Sequence, residues 1–317
     1  MKRFLIPAID LGLRISVAAA NFLFRLLGWR FICVAGKCLG DAFYRLRSDK
    51  KRIVEEEIRL LFGPRFGARE AAAIAKNSFE NHYMRHIETV FFGRLDKAML
   101  DKVMRVDGIG HIDAALKKGK GVILLLSHFG SFLLPLPFLG YRGYKVNQIT
   151  GKQEHRSVIG ERIWLWRKSE ADWLPVKYIQ VGKFLRPLYE ALEANEIVAV
   201  AFDGRNGTKW AEADFFERKA IFSTGPFELA RRTGAAIIPT FTVRGKDNVH
   251  RLYIEPEFRL SDDPDTEKAL KDDIKRFTSI FAGYIERHPA HFGMVLYTVK
   301  RDFETGAGKP LFVENVN

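Results

Sequence analysis

Four short apolar runs, GVILLLSH, EIVAVAFDG, AAIIPTFTVR and LYIEPEF, constrain the fold more than any other feature of this chain. Each is bounded by Gly, Pro or charge and reads as a strand, and helical patterns over 109–118, 181–194 and 224–233 separate them. Strands alternating with helices predict an α/β fold whose sheet has parallel elements. In such sheets ligands gather beyond the carboxyl ends of the strands. His128 closes the first run and Asp203 the second. Taken alone, His128 suits a satisfied core or turn histidine, and Asp203 suits a turn former in DGRNG. Two ionisable groups at two strand ends are what a site on that edge requires.

A chain of 317 residues has room for one large domain or two smaller ones. The net charge of +13 favours anionic partners, and it is concentrated at the start, where residues 1–69 hold 14 Lys/Arg against 6 Asp/Glu. That segment is also rich in Phe, Leu, Ile and Trp, which favours a membrane surface over nucleic acid. Neither a zinc-finger spacing nor an aromatic RNA-binding signature supports nucleic acid as a partner. The 26 phenylalanines suggest a lipid-facing surface or an apolar groove.

The N-terminus lacks a cleanly placed cleavage site, and its longest charge-free run, 15–24, is 10 residues, against about 20 needed to span a bilayer. A signal peptide and a simple transmembrane helix are therefore not expected. Arg3, Asp10, Arg14, Asn21 and Arg25 share one helical face, and Phe4, Leu11, Ile15, Phe22 and Leu26 the adjoining one. This phase predicts a helix lying in the membrane interface, the alternative being a helix packed on the domain. Cys33 and Cys38 are expected to be reduced, buried thiols in a cytoplasmic setting.

Phe79, Tyr83, Ile87 and Phe91 mark an amphipathic helix. His82 and His86 are four apart on it, but no zinc-hydrolase Glu or third ligand accompanies them, so no metal is expected. Residues 259–268 read as a solvated loop, and the tail 301–317 as loosely held. DGRNG and STGPFELARRTG match neither a phosphate-binding loop nor a dinucleotide fingerprint.

SHFG after one strand, FDGRNG after another, and DFFERKAIFSTGPFELARRTGAAIIP together resemble the bacterial lipid A late acyltransferases. These lauroyl- and myristoyl-transferase relatives lie within the glycerolipid acyltransferase superfamily. The resemblance runs from the N-terminus to about residue 300 and is most specific over 214–239. It implies a central sheet flanked by helices in an acyltransferase domain, 70–300, after a membrane-associated helical segment, 1–69. It also implies an enzyme on the cytoplasmic face of the inner membrane. Such an enzyme moves a fatty acyl chain from an acyl carrier protein or CoA thioester to a glycolipid hydroxyl. Its partners are then membrane lipids, the thioester donor and the glycolipid acceptor, with no cofactor beyond the thioester.

The family's histidine normally heads a motif of His, four residues, then Asp or Glu; here the acid's place is Leu133. Gly130 is kept, while Ser131, Phe132 and Leu133 stand where relatives often show Asn, Trp and Glu. The histidine must take a proton from the attacking hydroxyl, and a carboxylate on its other nitrogen fixes the tautomer and stabilises the imidazolium. Asp203 is the best positional substitute, with Glu154 and His155 next. Gly130 and Ser131 belong to the expected binding site. Arg156 and Arg205 are candidates to neutralise an acceptor anion, and Thr224–Gly225 either cap a helix or offer N–H groups to an anion. A catalytically silent lipid- or carrier-binding relative is the alternative that the missing acid suggests. A lysophospholipid acyltransferase would share the chemistry and differ in acceptor.

Overall fold

The computed structural model describes residues 2–150, 161–162, 165, 172–180, 185–205 and 207–313. Glu154, His155 and Arg156 lie outside the described residues, as do the side chains of Phe4, Arg3, Asp10 and Arg14. Four helices come first: α1 (Lys2–Leu27), α2 (Trp29–Leu46), α3 (Ser48–Phe62) and α4 (Ala68–Val90). Gly36 and Gly40 give α2 a bare strip against α4. A Cβ at either would come within 2.5 Å of the Cα of Met84 or Glu80, so the two backbones meet directly. Val54, Ile58, Leu61 and Phe62 of α3 enter the same core as the sheet that follows, so packing continues unbroken past residue 69.

Next in the chain stand α5 (Lys97–Val103), β1 (Met104–Asp107), α6 (Ile109–Leu116), β2 (Val122–Leu126), α7 (Pro135–Gly140), β3 (Val146–Thr150) and β4 (Val176–Gln180). Then come α8 (Arg186–Glu193), β5 (Ile197–Ala201), β6 (Trp210–Phe215), β7 (Arg218–Ser223), α9 (Gly225–Thr233), β8 (Ala236–Arg244) and β9 (His250–Ile254). Two long helices, α10 (Thr266–Arg287) and α11 (Gly293–Glu304), close the domain around a 3-10 turn at Pro289–His291. Seven strands form one sheet in the order β1-β9-β8-β2-β5-β3-β4. Every pairing is parallel except β8 with β9. β6 and β7 form a separate antiparallel hairpin.

β2 is buried at every position because both faces of the sheet are covered. Its side chains alternate: Ile123 and Leu125 enter one apolar cluster, Val122, Leu124 and Leu126 the other. The first cluster accounts for much of the phenylalanine content. Phe129, Phe202, Phe215, Phe222, Phe227, Phe241, Phe277, Phe281 and Phe292 are fully buried there, often ring against ring, as Phe202 on Phe222 at 4.6 Å. These phenylalanines build a core and not the lipid-facing surface that composition suggested.

Two other expectations are corrected. Cys33 is buried but Cys38 is exposed. The tail is docked as far as residue 313: Leu311 and Phe312 are buried, and the Ile221 N–H donates to the Leu311 carbonyl at 2.9 Å. Two apolar residues with no periodicity around them are enough to seat this segment beside β7.

Candidate active site

The sheet register brings His128 and Asp203 together. β2 and β5 are parallel neighbours with Leu126 opposite Ala201, and the Phe202 N–H extends the ladder to the Leu126 carbonyl. His128 and Asp203 each stand two residues past that pair, so equal offsets place them side by side at the carboxyl edge. His128 Nδ1 lies 3.0 Å from Asp203 Oδ1, and the His128 backbone N–H reaches both carboxylate oxygens at 2.9 and 3.1 Å. Asp203 is buried while the imidazole is 41% exposed, so the carboxylate lies inside and the ring faces outward.

Burial alone would raise the Asp203 pKa. The His128 charge, its ring and backbone donors, and the Arg205 charge outweigh burial and hold the carboxyl below its ordinary value. When the ring is neutral, an ionised Asp203 accepts the Nδ1–H, and Nε2 is then the nitrogen without a proton. The Phe132 ring meets the imidazole edge-on at 4.8 Å, and the Arg85 guanidinium lies over Phe132 at 5.4 Å. Leu133, at the place of the motif acid, packs against the second apolar cluster.

Gly130 and Ser131 follow the histidine into the interior. Gly130 has φ +56°, and a Cβ there would come 1.9 Å from the Thr242 carbonyl oxygen, so only glycine passes. Ser131 is buried and its hydroxyl donates to Glu88 Oε2 at 2.7 Å. That gives the hydroxyl proton to the protein. Arg205, a candidate to meet an acceptor anion, is also engaged by the protein. Its Nη1 donates to the carbonyls of Ile221 and Pro310 at 2.8 and 3.1 Å, tying the hairpin to the tail, and burial pushes its pKa down to about 10. Thr224 occupies the N-cap position of α9, but its hydroxyl donates to Glu228 at 2.6 Å and not into the helix end. Gly225 N–H lies 3.4 Å from Ser223 Oγ.

Sequence reasoning missed Glu88. It is fully buried near the end of α4, bonded to Ser131, to Arg244 and, at 3.1 Å, to His250 Nε2. Its one signal was a charge directly following Ile87 of the apolar stripe. Nearby, His291 Nε2 accepts the Arg244 backbone N–H at 2.9 Å.

Burial, then the Arg244 charge, keeps the His250 pKa well below its ordinary value. Burial, then His288, Arg244 and His250, pushes His291 down to about 3. Both folded values lie below the unfolded value of about 6.5, so as pH falls past that point the unfolded chain binds protons that the folded chain refuses. Stability is therefore fully present above about pH 6.5 and is lost as pH falls toward the folded values. Each histidine contributes a slope of at most about 1.4 kcal/mol per pH unit. Urea midpoints measured at pH 7, 6 and 5 are expected to fall progressively; equal midpoints would contradict this account.

The family model described as bacterial lipid A biosynthesis acyltransferase matches residues 3–301. The phosphatidylinositol mannoside acyltransferase of Mycobacterium tuberculosis is 28% identical over 198 residues, covering 62% of this chain and 59% of that protein. The match thus spans less than two thirds of the mycobacterial relative. The lipid A biosynthesis palmitoleoyltransferase of Escherichia coli K12 is 25% identical over 236 residues, 73% of this chain and 74% of that protein. The lipid A biosynthesis acyltransferase of Shigella flexneri gives the same figures.

Proposed function

This chain belongs to the bacterial lipid A biosynthesis acyltransferase family, and from that premise we propose that it transfers a fatty acyl chain from a carrier-protein or CoA thioester to a glycolipid hydroxyl. The observation that carries this proposal is the 3.0 Å contact between His128 and Asp203 at adjoining strand ends. With Nδ1–H donated to Asp203, Nε2 takes the proton of the acceptor hydroxyl as its oxygen attacks the thioester carbonyl. The C–O bond forms, the C–S bond breaks, and the proton passes from Nε2 to the departing thiolate. Asp203 stabilises the imidazolium in between. The silent-relative alternative drew on the missing acid at Leu133, and a carboxylate already bonded to the histidine weakens its ground.

The enzyme acts, on this view, at the cytoplasmic face of the inner membrane with α1 in the interface. Among the described residues no helix is long and apolar enough to cross a membrane. Leu11, Ile15, Phe22 and Leu26 are between 61% and 70% exposed, one apolar stripe beside the exposed Arg25, while Phe24 turns inward and stacks on Phe91 at 4.8 Å. Full burial of each stripe residue in lipid is worth roughly 1.5–3 kcal/mol.

Deleting the gene should leave one membrane lipid short by a single acyl chain in the total-lipid mass spectrum. The wild-type chain should restore it, whereas a chain with Leu11, Ile15, Phe22 and Leu26 all changed to Ser should restore it poorly and shift to the soluble fraction. An unchanged lipid profile after deletion would sink the transferase proposal. Full membrane retention of the serine variant would sink the interfacial helix.

A further inference from the structure

Asp203 holds the ring and backbone of His128 from the β5 side, yet the far end of the same loop is held by groups that the reaction does not otherwise use. Ser131 donates to Glu88 Oε2 at 2.7 Å, Arg244 donates to Glu88 Oε1, and the His250 Nε2–H donates to the same oxygen at 3.1 Å. Arg244 Nη2 also lies 3.5 Å from Ser131 Oγ. All four side chains are buried. The Gly130 N–H donates to the His291 carbonyl at 3.3 Å, and His291 in turn accepts from the Arg244 backbone. Between these anchors Phe129 is buried among Phe241, Phe281 and Tyr284. Elements far apart in sequence, α4, β8 and α10, thus converge on the three residues that follow the base, and β9 backs α4 through His250.

A buried ion pair is a poor way to gain stability, because well-packed apolar residues of similar volume often do as well or better. What this one offers is an anchor: both Glu88 oxygens are bonded, one to the loop through Ser131 and the other to Arg244 and His250. We propose that Glu88 is a positioning residue for the transfer: through Ser131, and backed by Arg244 and His250, it fixes the loop that presents His128 to the acceptor. This rests on the acyltransferase function proposed above. Asp203 then orients the imidazole and Glu88 holds the chain that carries it, so two acids remote in sequence serve the loop that follows His128. Misplacement of a catalytic group by about 1 Å can cost on the order of 10²-fold in rate, so a loop freed at Ser131 should be felt at Nε2.

The test uses Ser131→Ala in the full chain, which removes the loop's bond and leaves the Glu88–Arg244–His250 cluster whole. Glu88→Gln serves as the harsher companion. Hydrogen exchange over 127–134, melting temperature, and kcat and KM are measured together. Palmitoyl-CoA and palmitoyl carrier protein serve as donors, with the lipid identified by gene deletion as acceptor. Ser131→Ala is expected to speed exchange of the 127–131 amides roughly tenfold by local opening while α4 and β8 stay protected. The expected kinetic effect is a fall in kcat of about tenfold with KM nearly unchanged. Exchange and kcat both at wild-type values would overturn the proposal. So would faster exchange spread evenly over α4, β8 and the loop with a matching fall in melting temperature, because the role would then be structural only. If wild type transfers nothing from either donor, the acyltransferase function fails, and the exchange comparison still decides whether Glu88 fixes the loop.

Discussion

His128→Ala is expected to lower the acyl-transfer rate by roughly 10²- to 10⁴-fold, the usual worth of general-base assistance, while the fold survives. The separation follows from how the histidine is held. Its side chain is 41% exposed, so truncation opens no large cavity. Asp203, which is buried, keeps the backbone N–H of residue 128 at 2.9 and 3.1 Å and is not stranded as an unpaired charge. The loss should therefore lie in turnover, with melting temperature and membrane retention near wild type. Thiol release from palmitoyl-CoA or the palmitoyl carrier protein in the presence of acceptor gives the rate. Activity within a few-fold of wild type would remove His128 from the chemistry.

The sequence made the strands legible where burial made them apolar. β2, β5 and β8 announce themselves because both their faces are covered. β1, β3 and β4 were not read as strands because their burial is mixed, and mixed composition carries no clear period. β9 was read over 252–258 but runs over His250–Ile254, since Pro256 offers no N–H to a ladder. The register that unites His128 with Asp203 is a matter of strand order, and strand order depends on crossovers that local pattern does not encode. The pairing of Glu88, Ser131 and Arg205 inside the protein was not legible in the sequence, for one shared reason. A polar residue that ends up paired inside the protein looks, in sequence, the same as one that meets solvent or substrate.

Asp203→Asn should cost up to about 10⁴-fold in rate, by analogy with catalytic triads that lose their carboxylate to an amide. Here the geometry sharpens the expectation, because one carboxylate accepts from two donors of the same residue: Oδ1 from Nδ1–H at 3.0 Å and both oxygens from the backbone N–H. An asparagine whose oxygen faces the ring sets its NH₂ against the backbone N–H, two donors in conflict. Turned the other way, its NH₂ faces Nδ1 and moves the ring proton to Nε2, where the base must be free. Neither arrangement carries the negative charge that stabilises the imidazolium. Arg205, whose charge Asp203 supports, also loses its counterpart, so stability should fall somewhat and rates must be measured well below the melting transition. The deciding comparison is the double variant. Groups that act as one unit are not additive, so His128→Ala with Asp203→Asn should be no slower than His128→Ala alone. Multiplying losses would mean that Asp203 serves the reaction by some route other than the histidine, and an Asp203→Asn rate within about tenfold of wild type would mean that it does not orient the base at all.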